Sequence, residues 1–192
     1  MFILGSHNSW SYLPAAKWWM RPFEFTAKCQ KHSIKRQYNE AGVRCFDLRI
    51  KFVNGNPAVA HGSMVYKNGW SKVLDDLVWL NLQQDAVVRV LHEVRSKKDY
   101  TPEAVEQFRQ MCVFLKASFK NLKFWCGRNL YNWEVDYKFD YNPSCEEKYS
   151  SVCPPRYVDD WIPIVYARFC NRKIVKKGTD KDILLIDFVN IR

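Results

Sequence analysis

The sequence has no CxxC pair, no apolar run approaching a membrane span, no dense basic block and no internal repeat. Each absence removes a class of protein. Seven cysteines, at positions 29, 45, 112, 126, 145, 153 and 170, are odd in number, which excludes a complete disulfide framework. Reduced thiols are the simpler expectation. Cys45 and Cys126 sit inside apolar strand-like runs, where a thiol behaves as a small hydrophobe, and Cys145 with Cys153, flanking a loop, is the one pair placed to bridge. No stretch reaches the ~18 apolar residues of a membrane span, and Met1-Phe2-Ile3-Leu4-Gly5 carries no cationic leader. A cytoplasmic protein, or one peripheral to a membrane, is expected; a secretion signal already removed would leave the same sequence. Basic residues come only in short clusters such as Lys35-Arg36, Lys97-Lys98 and Arg172-Lys173 with Lys176-Lys177, which argues for solvated helix faces and against a nucleic-acid arm.

What is present is enough for a core. The chain has 192 residues, 47% of them hydrophobic and 26% charged, so one domain spanning 1–192 is expected. A closed eight-fold α/β barrel needs about 250 residues. Any barrel here is therefore pared down. The net charge of +10 selects a negatively charged partner, a class that includes anionic membrane surfaces and phosphorylated substrates.

Short apolar runs at 2–4, 45–52, 58–60, 86–94, 122–126 and 183–189 read as strands. Helical periodicity falls between them, at 27–41 closed by Gly42, at 71–82, at 101–119 and at 158–170. The 101–119 helix is the best signalled, with Thr101 as N-cap, Pro102 in the first turn and Val105, Phe108, Cys112 and Leu115 on one face. Strand and helix alternate, so the expected fold is α/β with a parallel sheet, a compact and incomplete TIM-type barrel. Residues 128–157 lack periodicity and read as a long aromatic loop with at most one short strand. Trp70, Trp79, Trp125 and Trp133 are expected in the core.

Three strand ends carry chemistry. The first run leads into Gly5-Ser6-His7-Asn8-Ser9, which puts a histidine just past a strand C-terminus, where barrel enzymes build their sites. The second reads Gly42-Val43-Arg44-Cys45-Phe46-Asp47-Leu48-Arg49; side chains two apart share a face, so Asp47 and Arg49 project together, opposite Phe46, Leu48 and Ile50. Buried charges are costly unless paired, so a mutual salt bridge is the plain reading of that pair. The third, Ala58-Val59-Ala60-His61-Gly62, ends in a second histidine.

This ordered set resembles the catalytic X region of phosphatidylinositol-specific phospholipase C, most clearly over residues 2–62, with a weaker continuation through 88–93 and 184–190. The resemblance implies that His7 is the general base removing the inositol 2-hydroxyl proton, and that His61 protonates the departing diacylglycerol oxygen. It also implies that Arg49 stabilises the phosphate, that Asp187 orients His7, and that Asp47 holds Arg49. Asn8 and Glu93 are the implied substrate contacts. The bacterial members usually carry aspartate where this chain has Asn8. Asparagine there is similar to the calcium-dependent members, yet those need a carboxylate at the position of Arg49, and a fixed cation there repels calcium. No cofactor and no metal are therefore expected, and a metal-independent reaction would stop at a cyclic inositol phosphate. The implied partner is a phospholipid substrate, met by a monomer.

Two rival readings stand beside this one. Glycerophosphodiester phosphodiesterase-like barrels also open with a histidine, but they hold a divalent metal with paired carboxylates, where this chain has Arg49 and Gly62. The other rival is a non-catalytic module binding anionic lipids. Between the first histidine and the second strand, Trp18, Trp19 and Phe23 form an aromatic stretch that either dips into a bilayer interface or packs over the barrel mouth as a plug.

Overall fold

Apolar residues in steps of two set the frame of the molecule. The computed structural model describes residues 2–132, 134–141, 143, 146–148, 162–179 and 182–190, so Trp133, Cys145 and Cys153 fall outside it. Its strands are β1 (Ile3–Ser6), β2 (Cys45–Val53), β3 (Asn56–His61), β4 (Met64–Val65), β5 (Val87–His92), β6 (Lys123–Cys126), β7 (Glu146–Lys148) and β8 (Asp182–Ile186). The helices are α1 (Ile34–Asn39), α2 (Gly69–Leu80), α3 (Pro102–Ser118) and α4 (Pro163–Lys177). Parallel pairing runs β7-β8-β1-β2-β5-β6, and among the described residues nothing joins β6 back to β7. The result is the expected α/β architecture, a TIM-type barrel short of closure.

One pairing departs from the parallel expectation. β2 overruns its neighbour β1, and its last four residues turn back on themselves, Ile50 pairing Val59 and Val53 pairing Asn56 in antiparallel register. The turn is Asn54-Gly55, both at positive φ, the conformation that two-residue hairpins require and that this dipeptide adopts readily. β3 thereby fills the edge of β2 that β1 leaves vacant. It returns towards the barrel mouth and delivers His61 there.

The expected helix over 27–41 shrinks to Ile34–Asn39. Its first part is held out of helical form because the Cys29 and Gln30 N–H groups both donate to Ser11 Oγ, at 2.9 Å each. The Gln30 amide donates to the carbonyls of Ile186 (2.8 Å) and His7 (3.1 Å), and Phe188 N–H donates to the Cys29 carbonyl. This strap crosses the strand ends of β1 and β8. By contrast α3 forms as its sequence dictates, Thr101 Oγ1 accepting from Ala104 N–H with Pro102 in the first turn. α4 starts later than expected, at Pro163, and residues 158–161 lie outside the described residues.

Packing divides the interior into two layers. Phe46, Leu48 and Ile50 face outward against helical residues such as Leu77, Leu80, Phe108 and Leu115, forming the main core. Inside the barrel, Cys45, Val87, Trp125, Ile183 and Leu185 form a second, smaller apolar floor. Gly5 belongs to that floor, for a Cβ there would come within 2.5 Å of Leu185 Cδ2. Trp125 is buried as expected, and Trp70 and Trp79 pack half-buried against the core. Above the floor the lining turns from apolar to charged.

Candidate active site

The charged layer begins with strand register. Asp47 on β2 sits beside Arg89 on β5, and Arg49 beside Leu91, so one carboxylate lies between two guanidinium groups. Arg89 Nη1 donates to Asp47 Oδ1 at 2.7 Å, and Arg49 Nε donates to Asp47 Oδ2 at 2.8 Å. The Asn8 backbone N–H also donates to Asp47 Oδ2, at 3.0 Å. Burial opposes the charge on Asp47, but Arg49 and then Arg89 outweigh it and hold the carboxyl well below the ordinary carboxylate range. The salt bridge read from the sequence is therefore present, with a third member.

Arg49 is gripped from its other side by Glu93, Nη1 lying 3.4 Å from Oε2. Glu93 is itself buried and is no solvated strand-end acid: its Oε1 accepts from Gly62 N–H (2.8 Å) and Arg95 Nε (3.0 Å). Burial raises its titration, yet Arg49 and the other neighbouring charges prevail and keep it lowered. The carboxylate oxygens of Asp47 and Glu93 are thus committed to guanidinium and backbone N–H groups.

His7 follows β1 directly, its N–H bonded to the Ile186 carbonyl of β8 at 3.0 Å. Its Nδ1–H donates to Asp187 Oδ1 at 2.7 Å, which leaves Nε2 as the lone-pair nitrogen. Behind it, Ser9 stitches the β1–β2 joint: its hydroxyl donates to the Ser6 carbonyl (2.8 Å) and accepts from Asp47 N–H (2.8 Å). Asn8, at φ 43°, is fully buried, and neither side-chain polar atom has a partner among the described residues.

His61 has a different setting. Its Nδ1 lies 3.0 Å from the Ala27 carbonyl, and a carbonyl only accepts, so Nδ1 carries the proton. Burial first, then Arg49 and His7, push its titration down to about 4, so it is neutral at pH 7 in the free protein. The two imidazoles stand edge to face with ring centroids 5.6 Å apart. Beside His61 opens a cleft of about 570 Å³, walled by Gly62, Ser63, Met64 and Arg95 on one side and by Met20, Phe23, Thr26 and Ala27 on the other.

Those last residues belong to a 3-10 segment, Trp18–Thr26, and to its end. The plug reading fails there, because Trp18, Trp19, Phe23 and Phe25 are 73%, 52%, 57% and 52% exposed. None of the segment's side chains is buried.

Sequence reasoning missed three residues that shape the site. Arg89 carried a readable signal, since an arginine inside the run Val87-Val88-Arg89-Val90 needs a partner as much as Asp47 does, whereas Arg95, in the polar stretch after that strand, carried none. Cys29 carried none; only the strap brings its Sγ to 3.8 Å from His61 Nδ1. Burial, with Asp187 next, holds that thiol well above its ordinary range, so it is a poor nucleophile.

Cys29, Cys112 and Cys126 are free thiols, and no described helix is long and apolar enough to cross a membrane. The sequence matches no protein-family model and no curated protein. Among solved structures it is similar to the phosphatidylinositol-specific phospholipase C from Listeria monocytogenes, at a TM-score of 0.66 over 98% of this chain and 88% of that one. Identity is 16%, so what the two demonstrably share is a fold, and that fold is the incomplete α/β barrel described above.

Proposed function

We propose that the protein is a phosphodiesterase that cleaves phosphatidylinositol-type lipids to diacylglycerol and a cyclic inositol phosphate. The observation that carries this reading is the placement of two imidazoles 5.6 Å apart, above an arginine fixed on both sides by carboxylates. Its fold likeness to a protein named for that activity supports it.

In this reading His7 Nε2 takes the proton from the inositol 2-hydroxyl, and the oxygen attacks phosphorus. Asp187, accepting from Nδ1–H, favours the imidazolium that forms. As the bond from phosphorus to the diacylglycerol oxygen breaks, His61 supplies the proton that oxygen needs. Exchange of one proton with water restores the pair. His61 must be charged for that step; burial and then the Arg49 charge keep it neutral beforehand, and the anionic phosphodiester offsets the second of these. Arg49 places a permanent positive charge against the phosphate, and Asp47 with Glu93 holds it in position. Calcium plays no part in this reading, which is supported by the bonds that the oxygens of Asp47 and Glu93 make to guanidinium and N–H groups.

The exposed Trp18, Trp19, Phe23 and Phe25, beside the cleft, seat the rim in the bilayer interface, and the net charge of +10 draws the protein to anionic lipid. One observation favours a second reading, a module that binds anionic lipid without cleaving it: His61 has a backbone carbonyl where an acid catalyst profits from a carboxylate. Release of water-soluble inositol phosphate from labelled phosphatidylinositol vesicles, with and without a chelator, decides. Turnover by the wild type that survives chelation and disappears in His7→Ala supports the proposal. Turnover abolished by chelation points to the metal-dependent rival, and vesicle binding with no release leaves only the module.

A further inference from the structure

We propose that His7, Cys29 and His61 form a binding site for a thiophilic divalent cation of the zinc class, and that an ion bound there silences the pair of imidazoles. Among the described residues these three make the one group of its kind, each offering a ligand atom within 4.8 Å of the others.

The distances suit the ion. Zinc takes imidazole nitrogen at about 2.0–2.1 Å and thiolate sulfur at about 2.3 Å, so tetrahedral ligands stand roughly 3.3–3.6 Å from one another. Cys29 Sγ is already 3.8 Å from His61 Nδ1; to ligate, that nitrogen gives up its bond to the Ala27 carbonyl, the ring proton moves to Nε2, and small side-chain rotations close the remainder. Metal-bound histidines characteristically pass their other ring N–H to a carboxylate, and Asp187 holds His7 in that way at 2.7 Å. The Cys29 thiol proton rests on the Ala27 carbonyl, 3.5 Å away, and leaves when sulfur binds the ion.

Charge and donor type then choose the cation. A thiolate together with Asp187 neutralises a dication, and Asp47 and Glu93 reduce the charge that Arg49 turns towards it. Two imidazoles and a sulfur form a borderline-soft set that favours zinc, cobalt or copper over calcium and magnesium. His7 is 19% exposed in its side chain, so the ion has a way in from solvent. Binding needs no assumption about activity; only the silencing rests on the phosphodiesterase reading.

Cobalt(II) is the probe for binding. Titrated into the full chain after chelator treatment, it should bind at one equivalent and give a thiolate-to-cobalt charge-transfer band that zinc displaces. Cys29→Ser should lose the band, and Asp187→Asn should weaken binding by about 10–100-fold. Should Cys29→Ser fail to fold, X-ray absorption at the zinc edge of the wild type decides, with one sulfur and two imidazoles expected in the first shell. No band in the wild type, a band that persists in folded Cys29→Ser, or a zinc shell without sulfur overturns the site. A separate arm tests silencing: stoichiometric zinc should cut phosphatidylinositol cleavage by at least about tenfold, and chelator should restore it. A wild type that shows the band but never cleaves lipid refutes the phosphodiesterase reading and leaves the metal site standing. One that cleaves lipid, binds zinc through sulfur and is unaffected by it refutes the silencing.

Discussion

His7 and His61 are the same side chain with ring centroids 5.6 Å apart, yet their surroundings at the barrel mouth treat them differently. The β1–β8 half supplies His7 with a carboxylate at 2.7 Å, whereas His61, at the end of β3, meets the Ala27 carbonyl at 3.0 Å and a nearby guanidinium from β2. The first surrounding fixes which ring nitrogen carries the proton, and the second, with burial, pushes the His61 titration down to about 4. A histidine's role here is set by the neighbour behind it, a residue just past β8 for His7 and one from the chain between β1 and α1 for His61.

The strongest way to break the comparison is to remove one ring at a time and vary the leaving group. His7→Ala and His61→Ala should each lose about 10²–10⁴-fold in turnover on the lipid. On a substrate whose leaving group is a good one, such as a nitrophenol ester of inositol phosphate, His61→Ala should recover most of its rate and His7→Ala should not. The opposite pattern would exchange their roles. Arg49→Lys comes next: a point charge cannot span Asp47 and Glu93 together, so turnover should fall about 10²–10³-fold with the fold retained by circular dichroism.

Beneath both rings lies Asp47, whose folded-state titration is depressed. Its contribution to stability is therefore complete above the unfolded value of about 3.9 and is lost as pH falls from there towards the folded value. Denaturant titrations from pH 6 down to pH 2 should show a loss on the order of 2–3 kcal/mol from this group. Asp47→Asn, unstable at every pH because two buried guanidinium groups lose their partner, should show a flatter acid limb. The smallest effect is expected from Asp187→Asn. Loss of a charge-assisted hydrogen bond worth about 1.5–3 kcal/mol should lower turnover roughly 10–100-fold. Cleavage unchanged by that variant would show that the β1–β8 half does not tune its histidine after all.

Much of this was legible in the chain because it is local. Alternation along Cys45-Phe46-Asp47-Leu48-Arg49 gives the inner and outer faces of β2, and Thr101-Pro102 gives the start of α3, since period and capping depend on neighbours in sequence. The β2–β3 hairpin was legible too, in Asn54-Gly55, but alternation of strands and helices pointed to parallel pairing and overrode it. Residues 27–33 were not legible. Their helical period is real, but bonds to Ser11, Ile186 and Phe188, from elements far apart in the chain, outweigh it. Cys29 enters the pocket only by that route.

The His7–Asp187 contact joins residues 180 positions apart. During synthesis the ribosome makes His7 long before the acid that orients it, and β8 must dock on β1 before the two can meet. A nascent or truncated chain therefore lacks the dyad whatever else it has folded. A lipid-cleaving centre of this design is therefore put together only when the late strand has docked on the early one.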